Sequence, residues 1–282
     1  MKGFINLYKP SGMSSAYAVG AVKHKFNVPC GHMGTLDPMA SGILPVGIGK
    51  TSRLFPFLLD KKKTYVATIK FGVSTDTLDT TGKVTETTDV LPDKKTVENV
   101  LGKFIGEIDQ VPPNYSAKCV NGKRGYELSR KGVEFELPPK KVVIYDVKML
   151  EQIDNEQYKL EITCGGGTYI RSLCRDIGFS CNSLAVMSGL ERTASGKFDI
   201  STAVTVEEFK ASFNPEKYII PADYAVDFPK LVLSSERAQK ILDGVFENHG
   251  YKDGTYRVYN QDDFWGIGQA KDGVLRITSY VR

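Results

Sequence analysis

The stretch GHMGTLDPMASGILPVGIGKTSRL, residues 31–54, decides how this chain is organised. It places five glycines and two prolines around a single carboxylate, Asp37, the only acidic residue between Met1 and Leu59. Such a density of glycine and proline builds a shaped loop, and Pro38 restricts the backbone of Asp37 toward extended conformations. An acid in such a loop either starts a turn or takes part in chemistry, and the loop alone leaves both open.

Two glycine-containing segments raise the alternative of anion binding. Gly49-Lys50-Thr51 matches the end of the GxxxxGK[ST] phosphate-binding loop. Leu44 stands where the first glycine of that loop belongs, and Pro45 has no amide to offer, which argues against a nucleotide triphosphatase. Gly165-Gly166-Gly167 precedes a predicted helix and could bind an anion at its N-terminus, although tight backbone packing explains the same residues.

Regular secondary structure is predicted on both sides of this loop. The run KTYVATIKFGV, residues 63–73, alternates and places Tyr65 on its apolar face, which predicts a half-buried strand. Apolar residues from Val97 to Ile105 fall at helical spacing and predict a helix packed on a sheet. The other predicted elements are a helix that begins at Ser14 or Ser15 and stops before Pro29, strands at 142–150 and 158–164, and a helix near 168–177. The order predicts one mixed α and β main body.

The pattern changes after Pro221. Residues 234–243 could form a helix, and the segments TYRVYN, FWGIGQA and VLRITSY alternate like strands separated by Asp-Gly or Asp-Asp turns. We therefore predict a main domain over residues 1–229 and a small β-rich domain over residues 230–282. Because the second segment has little surface to bury alone, we expect it to dock on the first.

Composition excludes several classes of protein. With 282 residues, 41% hydrophobic and 25% charged, the chain can bury a substantial core and is neither collagen-like nor disordered. The longest stretch without Asp, Glu, Lys or Arg is Ile177–Leu190, 14 residues, against roughly 18 or more for a membrane span. The N-terminus lacks the apolar run of a signal peptide. We expect a cytoplasmic protein without membrane contact.

The cysteines and histidines indicate neither a disulfide framework nor a metal site. Five cysteines are scattered through the chain, and no two of them form a CxxC pair. The three histidines are too far apart in sequence for familiar zinc spacing. We therefore expect reduced, partly buried thiols and no metal.

Positive charge is concentrated in one segment. The whole chain carries a net charge of only +4, which says little about partners. Between Lys118 and Lys131, however, five basic residues accompany a single acid, Glu127, with Tyr126 among them and Tyr115 just before them. Basic and aromatic residues together are typical of nucleic-acid contact, although a solvated charged loop has the same composition.

The loop around Asp37 resembles the GHxGTLDPxASGxLPVxxGxAT signature of the pseudouridine synthase family of the TruB type, which acts on uridine 55 in the T-loop of tRNA. Thr51-Ser52 stands where that signature has Ala-Thr. Five more segments resemble motifs of this family in the same order: KPSGMSS at 9–15, KTYVATIKFGVSTDTLDTTG at 63–82, VPPNYSAKCVNGKRGYELSRKG at 111–132, GGGTYIRSLCRDIG at 165–178 and SGLERTASGKF at 188–198. Residues 230–282 resemble the family's small RNA-binding appendage of the PUA kind only in outline.

The resemblance implies an α+β fold with a largely antiparallel sheet core and flanking helices. It also implies an isomerase that converts uridine to pseudouridine without a cofactor. Catalysis falls to Asp37, which either attacks the sugar or removes a proton from it, with Arg171 as its partner cation. Tyr65 would stack on the flipped-out uracil, and as a catalytic residue it could also take the proton from ring carbon 5 late in the reaction. Leu190 would line an apolar pocket, and His32 would fill the gap that the nucleotide leaves.

The expected partner is tRNA, bound through its T-arm by a monomer that needs no obligate protein partner. The residues expected to contact phosphates are Lys9, Lys63, Lys118, Arg130 and Lys131. Two alternatives share the fold: an RNA-binding protein or chaperone without chemistry, and a synthase guided by RNA and partner proteins. The presence of Asp37, Tyr65 and Arg171 argues against the first. The short N-terminus and small C-terminal segment argue against the second.

Overall fold

The computed structural model describes residues 1–59, 61–115, 119–120, 123–124 and 137–282. The helices are α1 Ser15–Phe26, α2 Lys94–Leu101, α3 Ile170–Ser180, α4 Val206–Ala211 and α5 Ser235–Leu242, with 3-10 helices at Gly49–Phe57, Gly102–Phe104, Ile200–Thr202, Pro215–Tyr218 and Ala222–Ala225. The strands are β1 Gly3–Lys9, β2 Cys30–His32, β3 Ser41–Ile48, β4 Lys63–Phe71, β5 Val73–Thr75, β6 Val84–Thr87, β7 Gly106–Gln110, β8 Cys119–Val120, β9 Lys123–Arg124, β10 Lys140–Gln152, β11 Gln157–Cys164, β12 Ala185–Ser195, β13 Phe198–Asp199, β14 Val204–Thr205, β15 Lys230–Leu233, β16 Asn248–Tyr251, β17 Gly254–Asn260, β18 Asp263–Lys271 and β19 Gly273–Tyr280.

The chain divides into two compact units, Met1–Asp60 with Ser195–Arg282, and Lys61–Ala194. In the first unit, β3 pairs antiparallel with β1 and β2, and β1 pairs parallel with β14. A second sheet of this unit has the order β15-β17-β18-β19-β16, in which only the β15–β17 pair is parallel. Strands and helices are thus mixed, and most strand pairs are antiparallel.

Helix α1 begins where the sequence predicts. The Ser14 hydroxyl accepts a hydrogen bond from Tyr17 N (3.2 Å) and caps the helix. Asn27 ends it in the left-handed region, at φ 51°. Ala18 and Val22 are buried against the inner face of β1 and β3. This packing fixes the chain that leads into the Asp37 loop.

The second unit is built on a sheet with the order β12-β4-β11-β10-β7. The pairs β4–β11, β11–β10 and β10–β7 are antiparallel. Strand β4 alternates between buried and half-buried residues, with Tyr65, Ala67, Ile69 and Phe71 on the buried face. The predicted half-buried strand and the α+β class are therefore confirmed.

The predicted apolar face of α2 is correct except at its end. Val97, Val100 and Leu101 are buried, as is Phe104 in the following 3-10 turn. Ile105 is 49% exposed, contrary to the prediction. The helix ends at Leu101, so Ile105 has extended backbone and no longer follows helical spacing.

The sheet of residues 230–282 shares a core with the rest of the first unit. Tyr259, Phe264 and Ile267 pack in one cluster with Phe4 and Ile43, and the Tyr259 hydroxyl donates to Asp223 Oδ2 at 2.6 Å. The expected docking onto the main body is thus observed. The boundary at residues 229 and 230 stays a prediction, because a shared core does not test whether a segment folds alone.

The described cysteines are free thiols: Cys30, Cys164, Cys174 and Cys181. Burial raises the pKa of the Cys164 thiol to about 11 and that of Cys174 to about 12, so both are protonated and inert at neutral pH. In the part of the chain that the structure describes, no helix is long and apolar enough to cross a membrane. The same residues contain no group of three His, Cys, Asp or Glu side chains placed to hold a metal ion.

Candidate active site

The Asp37 loop connects β2 to β3 in the first unit and is held by backbone contacts on both sides of the carboxylate. The Ser15 hydroxyl accepts a hydrogen bond from Leu36 N and donates one to Leu36 O, each at 2.9 Å. Gly12 N donates to Pro38 O at 2.8 Å, and Ala40 N donates to Asp37 O at 3.0 Å. Asp37 is half-buried in this frame. These hydrogen bonds hold the backbone on both sides of the Asp37 carboxylate.

Lys9 also holds the Asp37 loop, whereas the sequence predicted that it contacts phosphate. Its side chain is fully buried, and Nζ donates to Ala40 O (2.5 Å), Met13 O (2.7 Å) and Pro10 O (3.0 Å). A buried ammonium needs such a set of acceptors, because burial without them costs several kcal/mol. The geometry favours an anchoring role, which ties the segment after β1 to the Asp37 loop. The phosphate contact expected from the sequence stays a prediction.

The two roles of Lys9 predict different kinetics. If Lys9 anchors the loop, Lys9→Met should lower kcat for the isomerisation expected from the sequence roughly tenfold, because the Asp37 loop would be held less firmly, with little change in KM; each tenfold corresponds to about 1.4 kcal/mol. Steady-state kinetics with an RNA substrate measure both constants, and exposed Lys23→Met serves as the matched control. A raised KM with an unchanged kcat would instead support the phosphate contact.

His32 ends β2, opposite Val46 of β3, five residues before Asp37. Its imidazole is half-buried. Met33 N donates to Pro45 O at 3.0 Å and continues the pairing for one residue beyond the strand. The strand thus holds His32 at the start of the Asp37 loop, and its role beside a flipped nucleotide stays a prediction.

Tyr65 and Leu190 belong to neighbouring strands of the second unit. Tyr65 lies on the buried face of β4, 8% exposed, and pairs across to Ile162 of β11. On its other side, β4 meets β12, where Thr193 Oγ1 donates to Thr64 O at 3.3 Å. Leu190 is half-buried on β12. Lys63, expected to contact phosphate, is only 7% exposed at the start of β4.

Arg171 is buried in the first turn of α3, 7% exposed. Nη1 donates to Thr77 O at 2.9 Å and Nη2 to Tyr115 O at 3.0 Å. Nη1 also lies 3.6 Å from Asp79 Oδ2, and both side chains of this ion pair are less than a tenth exposed. A cation at a helix N-terminus opposes the helix dipole, so the Asp79 carboxylate offsets both that cost and the cost of burial.

Asp79 is the ion-pair partner of Arg171 that sequence reasoning missed. Its Oδ1 accepts from Thr77 Oγ1 (2.8 Å), Thr81 N (3.0 Å) and Thr81 Oγ1 (2.5 Å), which leaves Oδ2 toward Arg171. The turn ends at Gly82. A glycine is needed there because a Cβ would collide with the Thr77 hydroxyl. The alternating Asp and Thr residues could have indicated this turn from the sequence, since such side chains form hydrogen bonds with the nearby backbone.

The Asp79 turn is also tied to β12. Met187 N donates to Leu78 O, and Thr80 N donates to Met187 O, each at 3.1 Å. Leu190 follows three residues later on the same strand. The second unit thus connects Arg171, the Asp79 turn and the Leu190 strand in one hydrogen-bonded frame.

The predicted site residues are distributed over both units. Lys9, His32 and Asp37 belong to the first, and Lys63, Tyr65, Arg171 and Leu190 belong to the second. Three predicted phosphate contacts lie outside the described residues: Lys118, Arg130 and Lys131.

Two solved structures share this fold over nearly the whole chain. A crystal structure of a Cbf5-Nop10-Gar1 complex is 27% identical, with a TM-score of 0.71 over 98% of this chain and 79% of that one. A structure of an H/ACA RNP bound to a substrate RNA containing 2'-deoxyuridine is 24% identical, with a TM-score of 0.73 over 99% and 85% of the two chains, a likeness of fold alone.

Family models and curated relatives identify the protein family of this chain. Residues 23–170 match the TruB family pseudouridylate synthase N-terminal domain, residues 171–227 the tRNA pseudouridylate synthase B C-terminal domain, and residues 229–277 the pseudouridine synthase II TruB C-terminal domain. The protein named tRNA pseudouridine synthase B of Clostridium kluyveri is 41% identical over 96% of both chains, and that of Aquifex aeolicus 40% over 98% of both. The chain belongs to the TruB family of pseudouridylate synthases. It is therefore an isomerase, and the predicted family and reaction class are confirmed.

Proposed function

We propose that this protein converts uridine 55 in the T-loop of tRNA to pseudouridine, with Asp37 as the catalytic carboxylate. The observation that carries the proposal is the setting of Asp37. It is a half-buried acid, and Gly12, Ser15 and Lys9 hold its loop from both sides by hydrogen bonds. The relatives named tRNA pseudouridine synthase B, similar over nearly the full chain, support tRNA as the substrate.

The reaction balances without a co-reactant. The bond between uracil N1 and ribose C1′ breaks, the uracil turns, and a bond forms between C5 and C1′. C5 loses its hydrogen as a proton and N1 gains one, so the product is an isomer of the substrate. An ionised carboxylate suits this chemistry because it can capture the electron-poor sugar carbon, or remove a proton from the sugar, and then leave.

The other residues have supporting roles in this proposal. The uridine is flipped out of its stack, since its reacting atoms are otherwise inaccessible. Tyr65 stacks on the uracil, and Leu190 lines the apolar side of the pocket. Arg171 holds the catalytic carboxylate ionised and oriented, because a neighbouring cation favours the charged form of an acid. His32 occupies the space that the flipped nucleotide leaves.

The protein is proposed to act in the cytoplasm as a monomer on the T-arm, with no cofactor and no obligate protein partner. Recognition depends on RNA shape and phosphates, since a folded T-loop presents exposed nucleotides in a fixed geometry. Lys63, Lys118, Arg130 and Lys131 are the proposed phosphate contacts.

Release of tritium tests the proposed substrate. A T-arm stem-loop labelled at C5 of the target uridine is incubated with wild-type protein and no added cofactor. We expect one equivalent of tritium per RNA, and no release when the label is placed in other uridines. Tight binding without release would favour an RNA-binding protein without chemistry, or a synthase that needs a guide RNA and partner proteins.

A further inference from the structure

The buried amide of Gln110 has no role in the reaction steps proposed above. Gln110 is the last residue of β7, which follows β10 in the sheet of the second unit, and only 1% of its surface is exposed. Its backbone lies opposite Lys140 of β10. An amide at this depth needs hydrogen-bond partners, because burial without them costs free energy. Those partners lie at the start of α3.

Both polar atoms of the Gln110 amide bond to the backbone of one residue, Tyr169. Oε1 accepts from Tyr169 N at 2.8 Å, and Nε2 donates to Tyr169 O at 3.1 Å. Tyr169 O also accepts from Leu173 N at 3.1 Å, the first hydrogen bond of the helix. The two bonds from Gln110 fix the position and the orientation of the residue from which α3 starts.

Gln110 takes the place of a residue that would normally cap the start of a helix. Tyr169 is the N-cap of α3, and tyrosine lacks the short side-chain oxygen with which Ser, Thr, Asp or Asn caps a helix. In a capping box, the third helical residue is Glu or Gln, and its side chain accepts from the N-cap N–H. The third residue of α3 is Ser172, whose hydroxyl donates instead to Val111 O at 2.8 Å. Gln110 supplies the missing acceptor from β7.

The helix start that Gln110 holds carries Arg171. Arg171 is the second residue of α3, two positions after Tyr169. Its guanidinium donates to Thr77 O and Tyr115 O, which fixes the far end of the side chain, whereas Gln110 fixes the backbone from which the side chain projects. A cation in the first turn of a helix opposes the helix dipole, so this turn gains from an external hold on its backbone.

We infer that Gln110 is a positioning residue for the isomerisation, which acts through the Tyr169 backbone on Arg171. The inference rests on the proposed function, because Arg171 affects the rate only if it holds the Asp37 carboxylate ionised and oriented. Loss of the two Gln110 bonds would let the helix start shift and carry the guanidinium with it. A misplacement on the order of 1 Å at a reacting group can cost about 100-fold in rate.

Gln110→Met tests the inference, because methionine has nearly the same length and is unbranched, yet it makes neither hydrogen bond. Gln152→Met, at an exposed glutamine of the same unit, is the matched control. Single-turnover tritium release from the C5-labelled T-arm stem-loop measures the chemical step, and filter binding measures RNA affinity. For Gln110→Met we expect the rate to fall roughly tenfold and the affinity to stay within about twofold of wild type. The control should match wild type in both.

A second variant covers the case in which Gln110→Met does not fold. Gln110→Asn keeps an amide but is one carbon too short to reach both Tyr169 atoms, so it should cause a smaller loss of rate, again with little change in affinity. A lowered melting temperature with a wild-type rate, measured where the variant is folded, would overturn the inference.

A double-mutant cycle with Arg171→Lys separates positioning from a general loosening of the fold. Arg171→Lys keeps the positive charge but loses the planar fork that bonds to Thr77 O and Tyr115 O. If Gln110 acts through Arg171, Gln110→Met should slow this variant by less than about twofold, although it slows wild type roughly tenfold. The same fold loss in both backgrounds would overturn the inference. Failure of the proposed function is a separate result, because wild-type protein would then release no tritium from the stem-loop.

Discussion

Asp37→Asn is expected to reduce tritium release from a C5-labelled T-arm stem-loop by at least roughly 10⁴-fold, about 5.5 kcal/mol of transition-state stabilisation. Asparagine has nearly the same shape, so the loop that Gly12 and Ser15 hold should persist. The amide cannot capture an electron-poor sugar carbon or accept a proton as a carboxylate does. Single-turnover kinetics with excess protein measure the chemical step without interference from product release.

Asp262→Asn is the matched control, because it removes an exposed carboxylate from the same unit. RNA affinity of Asp37→Asn, measured by filter binding, should remain within a few-fold of wild type. Substantial tritium release by Asp37→Asn would show that another group performs the chemistry, and the proposed catalyst would be wrong.

Asp79→Asn is expected to lower kcat by roughly 100-fold or more, although the proposal gives Asp79 no contact with the substrate. Removing one partner of a buried ion pair leaves the Arg171 charge uncompensated, a change that typically costs about 3–5 kcal/mol. Part of that cost should appear as lower stability and part as misplacement of Arg171. Thermal unfolding and single-turnover kinetics on the T-arm stem-loop measure the two effects separately.

Asp76→Asn controls for this variant within the same turn. Asp76 is exposed and accepts only from Lys83 N, at 2.8 Å, among the contacts described for its side chain. A purely structural role for Asp79 would lower the melting temperature while leaving kcat unchanged below it. That result would show that Asp79 does not position Arg171 for catalysis.

Much of the local structure could be predicted because it depends on local signals. The alternation of residues 63–73 placed Tyr65 on the buried face of β4, and the pair Ser14 and Ser15 marked the start of α1, where the structure shows Ser14 to be the cap. These predictions hold because pleat period and helix capping act over a few residues. The exception, Ile105, lies where a helix gives way to an extended segment, and periodicity cannot fix such an end to the residue.

The sequence by itself determined the family, the loop that carries Asp37 and the strand that carries Tyr65, since each is written in contiguous residues. Only the tertiary structure decided the environment of the charged side chains. Lys9 turned out to be buried under the Asp37 loop, Arg171 to pair with Asp79 from a distant turn, and Arg53 to donate a hydrogen bond to Tyr280 O of β19. The free energy of a charge depends on burial and on partners that folding brings from elsewhere in the chain, and no local pattern of residues records either.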